Sequence, residues 1–256
     1  MQTLLHLLDQ VESSGAFAVS GTLPPIPPGL TVQGIGHIGL PLTTQQAQAL
    51  IAQSEQAPFG RREEAIVDTE VRKNWQIGAE TFELTNSQWQ AAIQSAADQI
   101  GHELGLVDCT ISAEPYKLLI YEAGSFFTAH RDTEKIPNMF ATLVVNLPAA
   151  HQGGELIISH AGQSNRYSFA DNSLFESSFV AFYADCYHEV KPVTAQALSR
   201  VTTLQRAKAR PASRTDLSDP LDRLPQHGRR RATCHCAFGR TDRQTIPHHN
   251  LWPCGR

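Results

Sequence analysis

YKLLIYEAG at residues 116–124 opens a series of short segments rich in Val, Ile, Leu, Phe and Tyr: ATLVVNLP (141–148), GGELIISH (153–160), FVAFYAD (179–185), YHEVKPV (187–193) and SRVTTL (199–204). Each is long enough for one strand, and most are closed by Gly, Pro, Asn or Asp, the residues that turn a chain. Short strands with frequent turns predict an all-β sandwich or roll over this stretch. The whole chain has 256 residues, 41% of them hydrophobic, enough to bury one main core but short for two large ones.

Upstream of residue 115 the pattern is helical and extended. Thr43 or Thr44 is placed to cap a helix in LTTQQAQALIAQSEQA, which must end before Pro58. A second helix is signalled by Thr85 and Gln88 as a capping box, followed by Trp89, Ile93, Ala96, Ile100 and Leu104 at steps of three and four, one apolar stripe to lay on a sheet. The Pro- and Gly-rich stretch Leu23 to Leu42 excludes helix and predicts an extended path. MQTLLHLLDQVESSG reads as an amphipathic helix rather than a leader. The expected fold class is α+β and mainly β, a roll (115–204) supported by helices and extended chain of the same domain (1–114).

Residues 205–256 break the pattern. They hold ten Arg, one Lys, no Glu, five Pro and few large apolar residues, and predict a basic, disordered tail or, equally, an out-of-frame extension of the gene. The formal charge of -4 conceals this division: residues 1–204 carry 10 Lys+Arg against 21 Asp+Glu, and residues 205–256 carry 11 against 4. Five scattered cysteines do not form a disulfide framework, and no apolar run approaches the roughly 20 residues that cross a bilayer. The reading is a cytoplasmic protein without a membrane partner.

Chemistry enters at AHRDTEK. His130 and Asp132 are two residues apart, and on a strand i and i+2 face one side, so an imidazole and a carboxylate can converge on one ion. Alone this is weak, because 11 His and 11 Asp would produce roughly 0.5 such pairs by chance. A second β-rich run, FYADCYHEVKPV, supplies His188. Two His and one carboxylate on one face of an octahedron leave three positions open, as in non-haem Fe(II) oxygenases, whereas a structural zinc site closes with a fourth ligand.

The succession Y-x-x-G-x-F-F-x-x-H-x-D-T (Tyr121–Thr133), T-L-V-V-N-L-P (Thr142–Pro148), G-G-E-L (Gly153–Leu156) and D-C-x-H-E-V-x-P-V-T (Asp185–Thr194) resembles the prolyl 4-hydroxylase-like branch of the 2-oxoglutarate- and Fe(II)-dependent dioxygenases. The resemblance covers about residues 116–204. It implies a double-stranded β-helix (jelly roll) with His130 and Asp132 near the end of its second strand and His188 on its seventh. The implied cofactors are Fe(II), 2-oxoglutarate as co-substrate and O2, with ascorbate as a candidate reductant. The implied reaction hydroxylates a C–H bond and releases succinate and CO2.

For the distal carboxylate of 2-oxoglutarate the resemblance points to Arg200, with Thr202 on the same strand face and Tyr121 contacting the co-substrate from a neighbouring strand. The family's basic residue usually stands about ten positions after the second His and follows a Gly. Here Leu198 holds that spot and Arg200 lies two further on. No catalytic residue beyond the metal ligands is implied. The substrate is a prolyl or other peptidyl side chain, or a small molecule.

Two rival readings use the same roll. A catalytically impaired jelly-roll binding protein would keep the triad and lose co-substrate binding. An oxidative nucleic-acid demethylase would need an electropositive face, which the acidity of residues 1–204 opposes. Cys186, two before His188, would face the iron side in an unbroken strand, although burial as a small hydrophobe accounts for it better. His160 is a reserve ligand, and His151 a weaker one. Cys234, His235, Cys236, His248, His249 and Cys254 lack the spacing of zinc knuckles, and Arg229 to Arg231 read as a solvated basic run.

Overall fold

Leu143 and Val144 are neighbours in the chain yet pack into different cores. Successive side chains of a strand point to opposite faces, so a strand buried on both faces must be apolar at every position. The strand carrying them, Met139–Asn146, is buried throughout. The computed structural model describes residues 15–61, 64–66, 70–106, 109–196 and 198–209. The expected N-terminal helix and the basic tail beyond Ala209 lie outside the described residues.

In chain order the strands are β1 (Ala18–Thr22), β2 (Leu30–Val32), β3 (Gly36–His37), β4 (Glu55–Gln56), β5 (Phe59–Arg61), β6 (Glu64–Ile66), β7 (Arg72–Lys73), β8 (Trp75–Gly78) and β9 (Phe82–Leu84). There follow β10 (Cys109–Tyr121), β11 (Phe126–His130), β12 (Met139–Asn146), β13 (His151–Gly153), β14 (Leu156–His160), β15 (Gln163–Tyr167), β16 (Ser178–Tyr183), β17 (Tyr187–Val190), β18 (Val193–Gln196) and β19 (Leu198–Ala209). Helix α1 spans Thr44–Ala52 and α2 spans Ser87–Glu103.

A 7-stranded sheet has the order β1-β16-β12-β19-β10-β8-β4, and a 5-stranded sheet the order β15-β14-β17-β11-β7. From β10 onward the chain crosses between them: β10 large, β11 small, β12 large, β14 and β15 small, β16 large, β17 small, β19 large. That alternation is a double-stranded β-helix, and the fold is the jelly roll. Leu119, Tyr121, Val144, Val180 and Phe182 from the large sheet meet Phe127, Leu156, Ile158 and Val190 from the small one in the core between them. Leu118, Ile120, Leu143, Val145 and Phe179 belong to the second core, with Leu50 of α1 and Trp89, Ala97 and Ile100 of α2.

Both helices start on side-chain caps. Thr43 and Gln46 form the capping box of α1. At α2 the expected cap at Thr85 is displaced by one residue: Asn86 Oδ1 accepts from the Gln88 amide at 3.0 Å. Thr85 is occupied elsewhere, its hydroxyl donating to the Gly29 carbonyl at 3.0 Å. On α2 the close approach to β10 needs a glycine, since a Cβ at Gly101 would lie 2.8 Å from Ile111 Cγ1.

The region before residue 115 contributes more strand than its composition suggests. It supplies β1, β4 and β8 to the large sheet and β7 to the small one, and β10 itself begins at Cys109. The extended stretch Leu23 to Leu42 contains β2 and β3, paired with each other and with β9. Strand β15 has no apolar alternation to reveal it, being exposed along most of its length. Ala161 and Gly162, both at positive φ, turn the chain so that it pairs back on β14. At the far end β19 runs past Leu204 to Ala209, opposite Cys109, because the 13-residue β10 continues to offer backbone partners whatever the side chains are.

Leu143 is wholly buried beneath the helices. Leu143→Ala is expected to cost about 2–5 kcal/mol of stability, measured as a lowered urea midpoint at unchanged slope.

Candidate metal centre

Strands β11 and β17 pair antiparallel with His130 opposite His188, which brings the ring centroids to 4.0 Å. Strand β11 ends at His130, so Asp132 does not reach the site by strand alternation as the spacing predicts. It lies in the segment that follows, where the Thr142 hydroxyl of β12 donates to its Oδ2 at 2.6 Å. That oxygen stands 3.8 Å from His188 Nε2. One ligand atom from each of His130, Asp132 and His188 falls within 4.8 Å of the other two.

Both imidazoles are oriented through their second nitrogen. His130 Nδ1 is 2.9 Å from the Thr128 carbonyl, and His188 Nδ1 is 3.4 Å from the Cys186 carbonyl. Donation from Nδ1 leaves the Nε2 lone pair for a metal. Phe127 stacks on His130 at 3.5 Å and Phe182 lies 4.7 Å from His188. Burial pushes His130 down to about 3, with the neighbouring His188 adding to the shift, and burial lowers His188 as well. Both rings are therefore neutral at pH 7, the form that coordinates.

The open side of the three ligands faces a cavity of about 510 Å³. Its walls include Leu119, Tyr121, Phe127, Val144, Leu156 and Val190 from the inter-sheet core, and Arg72, Tyr116, Lys117, Arg131 and Lys135. Two neutral imidazoles, a carboxylate held by Thr142 and room for further ligands fit a divalent cation with exchangeable positions. Tyr121 is buried and lines this cavity. The backbone of Arg200 pairs with Leu119 on one side and Asn146 on the other, and that of Thr202 with Lys117 and Val144.

Other candidates fall elsewhere. Cys186 precedes β17, so the alternation that would turn it to the iron side does not extend to it. It is buried against Phe17, whose carbonyl is 3.7 Å from the thiol, and burial pushes it up to about 11. His160 lies with Asp185 and Cys186, away from the cavity lining, and His151 is buried with Nδ1 2.9 Å from the Ala149 carbonyl. The cysteines and histidines from Cys234 onward lie outside the described residues. The pattern ATLVVNLP contained Thr142 on the inward alternation. Arg72 lies in APFGRREEAIVDTEVRKNW (57–75), a segment whose sequence implies no assignable chemistry.

Comparison with known proteins agrees with this geometry. The 2OG-Fe(II) oxygenase superfamily model matches residues 116–205. Oxygenases of this superfamily use Fe(II), 2-oxoglutarate and O2. No curated protein matches the sequence. Among solved structures, a Pseudomonas putida prolyl-4-hydroxylase is 20% identical, covering 80% of this chain and 100% of its own, at a TM-score of 0.46. A Trichoplax adhaerens prolyl hydroxylase in complex with a hypoxia inducible factor peptide is 13% identical over 70% of this chain and 84% of its own, at 0.45. A collagen prolyl hydroxylase of Paramecium Bursaria Chlorella virus-1, in its 2OG complex, is 14% identical over 77% and 99%, at 0.42. No helix among the described residues is long and apolar enough to cross a membrane.

Thr142→Val removes the hydroxyl that fixes Asp132 while keeping the volume. Metal affinity by equilibrium dialysis is expected to fall about 10- to 100-fold with the fold intact.

Proposed function

We propose that the protein is an Fe(II)- and 2-oxoglutarate-dependent dioxygenase that hydroxylates a C–H bond of a peptidyl side chain, prolyl in the first instance, or of a small molecule. The observation that carries this reading is the convergence of two neutral imidazoles and one anchored carboxylate at the floor of a cavity. His130, Asp132 and His188 would hold the iron. When bound, the metal with its co-substrate supplies the oxidising power, coupling decarboxylation of 2-oxoglutarate to succinate and CO2 with hydroxylation of the substrate.

The chain's own contribution is placement and exclusion. Thr142 and the Thr128 carbonyl keep two ligands in their productive orientations at 2.6 and 2.9 Å. Phe127, Phe182 and Val190 pack the inner side of the site and keep bulk water from it. Arg200 would bind the distal carboxylate of 2-oxoglutarate, with Thr202 and Tyr121 assisting. The support is register: the backbone of Arg200 lies beside cavity-lining Leu119, and that of Thr202 beside Lys117 and Val144, two more residues of the lining. An Arg at this level can meet a carboxylate with two parallel hydrogen bonds.

Succinate formation from 2-oxoglutarate with Fe(II), ascorbate and air tests the reading. Wild type is expected to show slow turnover without prime substrate and His188→Ala none, while anaerobic Fe(II) protein should develop a metal-to-ligand absorption band on adding 2-oxoglutarate. Iron binding without band or turnover would instead identify a jelly-roll binding protein. Arg200→Met is expected to raise the 2-oxoglutarate KM by roughly tenfold or more, the loss of a charge-assisted pair. An unchanged KM would remove Arg200 from the co-substrate site.

A further inference from the structure

Residues 1–204 contain 10 Lys+Arg and 21 Asp+Glu. Four of those few cations, Arg72, Lys117, Arg131 and Lys135, line the single cavity at the metal centre, and among the described residues Asp132 is the one carboxylate on its wall. Random placement in so acidic a domain would bring more acids than bases to any pocket. The wall is positive while the rest of the domain is negative.

Arg72 is the member built in most firmly. It is 8% exposed, and its Nε donates to Asn74 Oδ1 at 2.7 Å while Nη1 donates to the Pro58 carbonyl at 2.9 Å. Its guanidinium lies 4.3 Å from the centre of the Phe127 ring, the same ring that stacks on His130. The two acceptors hold the fork at one edge and leave further N–H groups without a partner among the described residues. Lys117 is half-buried on β10, donating to Gln76 Oε1 at 2.6 Å, and Lys135 donates to Thr133 Oγ1 at 2.7 Å. Burial lowers Lys117 and the charges of Arg72 and Lys135 lower it further, with Glu55 and Glu80 acting in the opposite direction, so these cations repel one another within reach. Buried like charges are costly unless an anion joins them.

We propose that the prime substrate is a small carboxylic acid, and that Arg72, Lys117 and Lys135 hold its carboxylate while the C–H bond to be attacked faces the metal ligands. The proposal deepens the dioxygenase reading and rests on it. A small acid is favoured over a nucleic acid or an acidic protein, because the acidity of the surrounding domain repels a polyanion and the positive charge is confined to a cavity of about 510 Å³. Arg200 serves a different anion, the distal carboxylate of 2-oxoglutarate, from the strand β19.

The test uses the full chain, anaerobic, with Fe(II) and 2-oxoglutarate, and as probes the N-acetyl-L-amino acids of the twenty common side chains, each as free acid and as carboxamide. Binding is read by calorimetry. At least one acid is expected to bind roughly tenfold tighter than its amide, and that preference should shrink to within about threefold in Arg72→Gln, Lys117→Gln and Lys135→Gln. Lys135 is exposed, so its variant reports even if Arg72→Gln fails to fold, and Lys117→Arg should restore the preference. The 2-oxoglutarate affinity, read from the absorption band, should stay unchanged in Lys135→Gln. Acid and amide binding alike, or neither binding, overturns the proposal. So does a loss of 2-oxoglutarate affinity that parallels the loss of acid preference, which would assign the cations to the co-substrate. Absence of the band in wild type instead defeats the dioxygenase reading, and the acid–amide comparison on protein without metal still decides whether the cationic wall binds carboxylates.

Discussion

The antiparallel ladder between β11 and β17 is the constraint on which the site depends. Backbone hydrogen bonding places His130 and His188 directly opposite one another, residues 58 positions apart in the chain. Side chains of an antiparallel pair share a face, so the two imidazoles must point the same way once the register is set. The ladder shifts register between Phe127 and His130, and on the far side of that irregularity Phe127 pairs with Val190, both in the inter-sheet core, where their burial anchors the two strands. Core packing and ligand geometry are therefore one requirement.

A double-stranded β-helix suits this use because it leaves two layers of side chains facing each other and fills only part of the space between them. Ile158, Val180 and Phe182 fill one part of the interior, Ile158 opposite His188 in the ladder and Phe182 beside its ring, and the metal ligands and the cationic wall border the part left open. The large sheet can afford inward polar groups such as Thr142 because its outer face is covered by α1 and α2, whose Leu50, Trp89 and Ile100 bury the alternate residues of β10 and β12. Asp132, which lies outside any strand, accepts a hydrogen bond from the Thr142 hydroxyl and lies 3.8 Å from His188 Nε2, so a residue of the large sheet helps complete a centre built on the small one.

Charge is distributed in the same economical way. The acidic domain concentrates its cations where an anion can be enclosed, and the buried guanidinium of Arg72 sits over the aromatic ring that also flanks His130. The guanidinium proposed to hold substrate and the His130 ring thus share Phe127. A substitution there would disturb both.

The strand runs from Tyr116 to Leu204, the two helices and the three metal-facing residues were legible in the sequence, because apolar alternation, turn residues and an ordered succession of motifs are local properties. Thr85 misled as a cap, since its hydroxyl is taken by Gly29, 56 residues earlier in the chain. Strands β1, β7 and β15 gave no signal, being short or exposed, and their places in the sheets are set by pairing with strands distant in the chain or across a tight turn. That pairing also carries β19 to Ala209 and brings Arg72 to the metal cavity from a segment with no assignable chemistry. Sequence by itself determined which residues have ligand chemistry and which period each segment follows. Only tertiary structure decided that Thr142 holds Asp132, that Cys186 turns away to Phe17, and that four scattered cations line one wall, because those outcomes depend on register between strands distant in the chain.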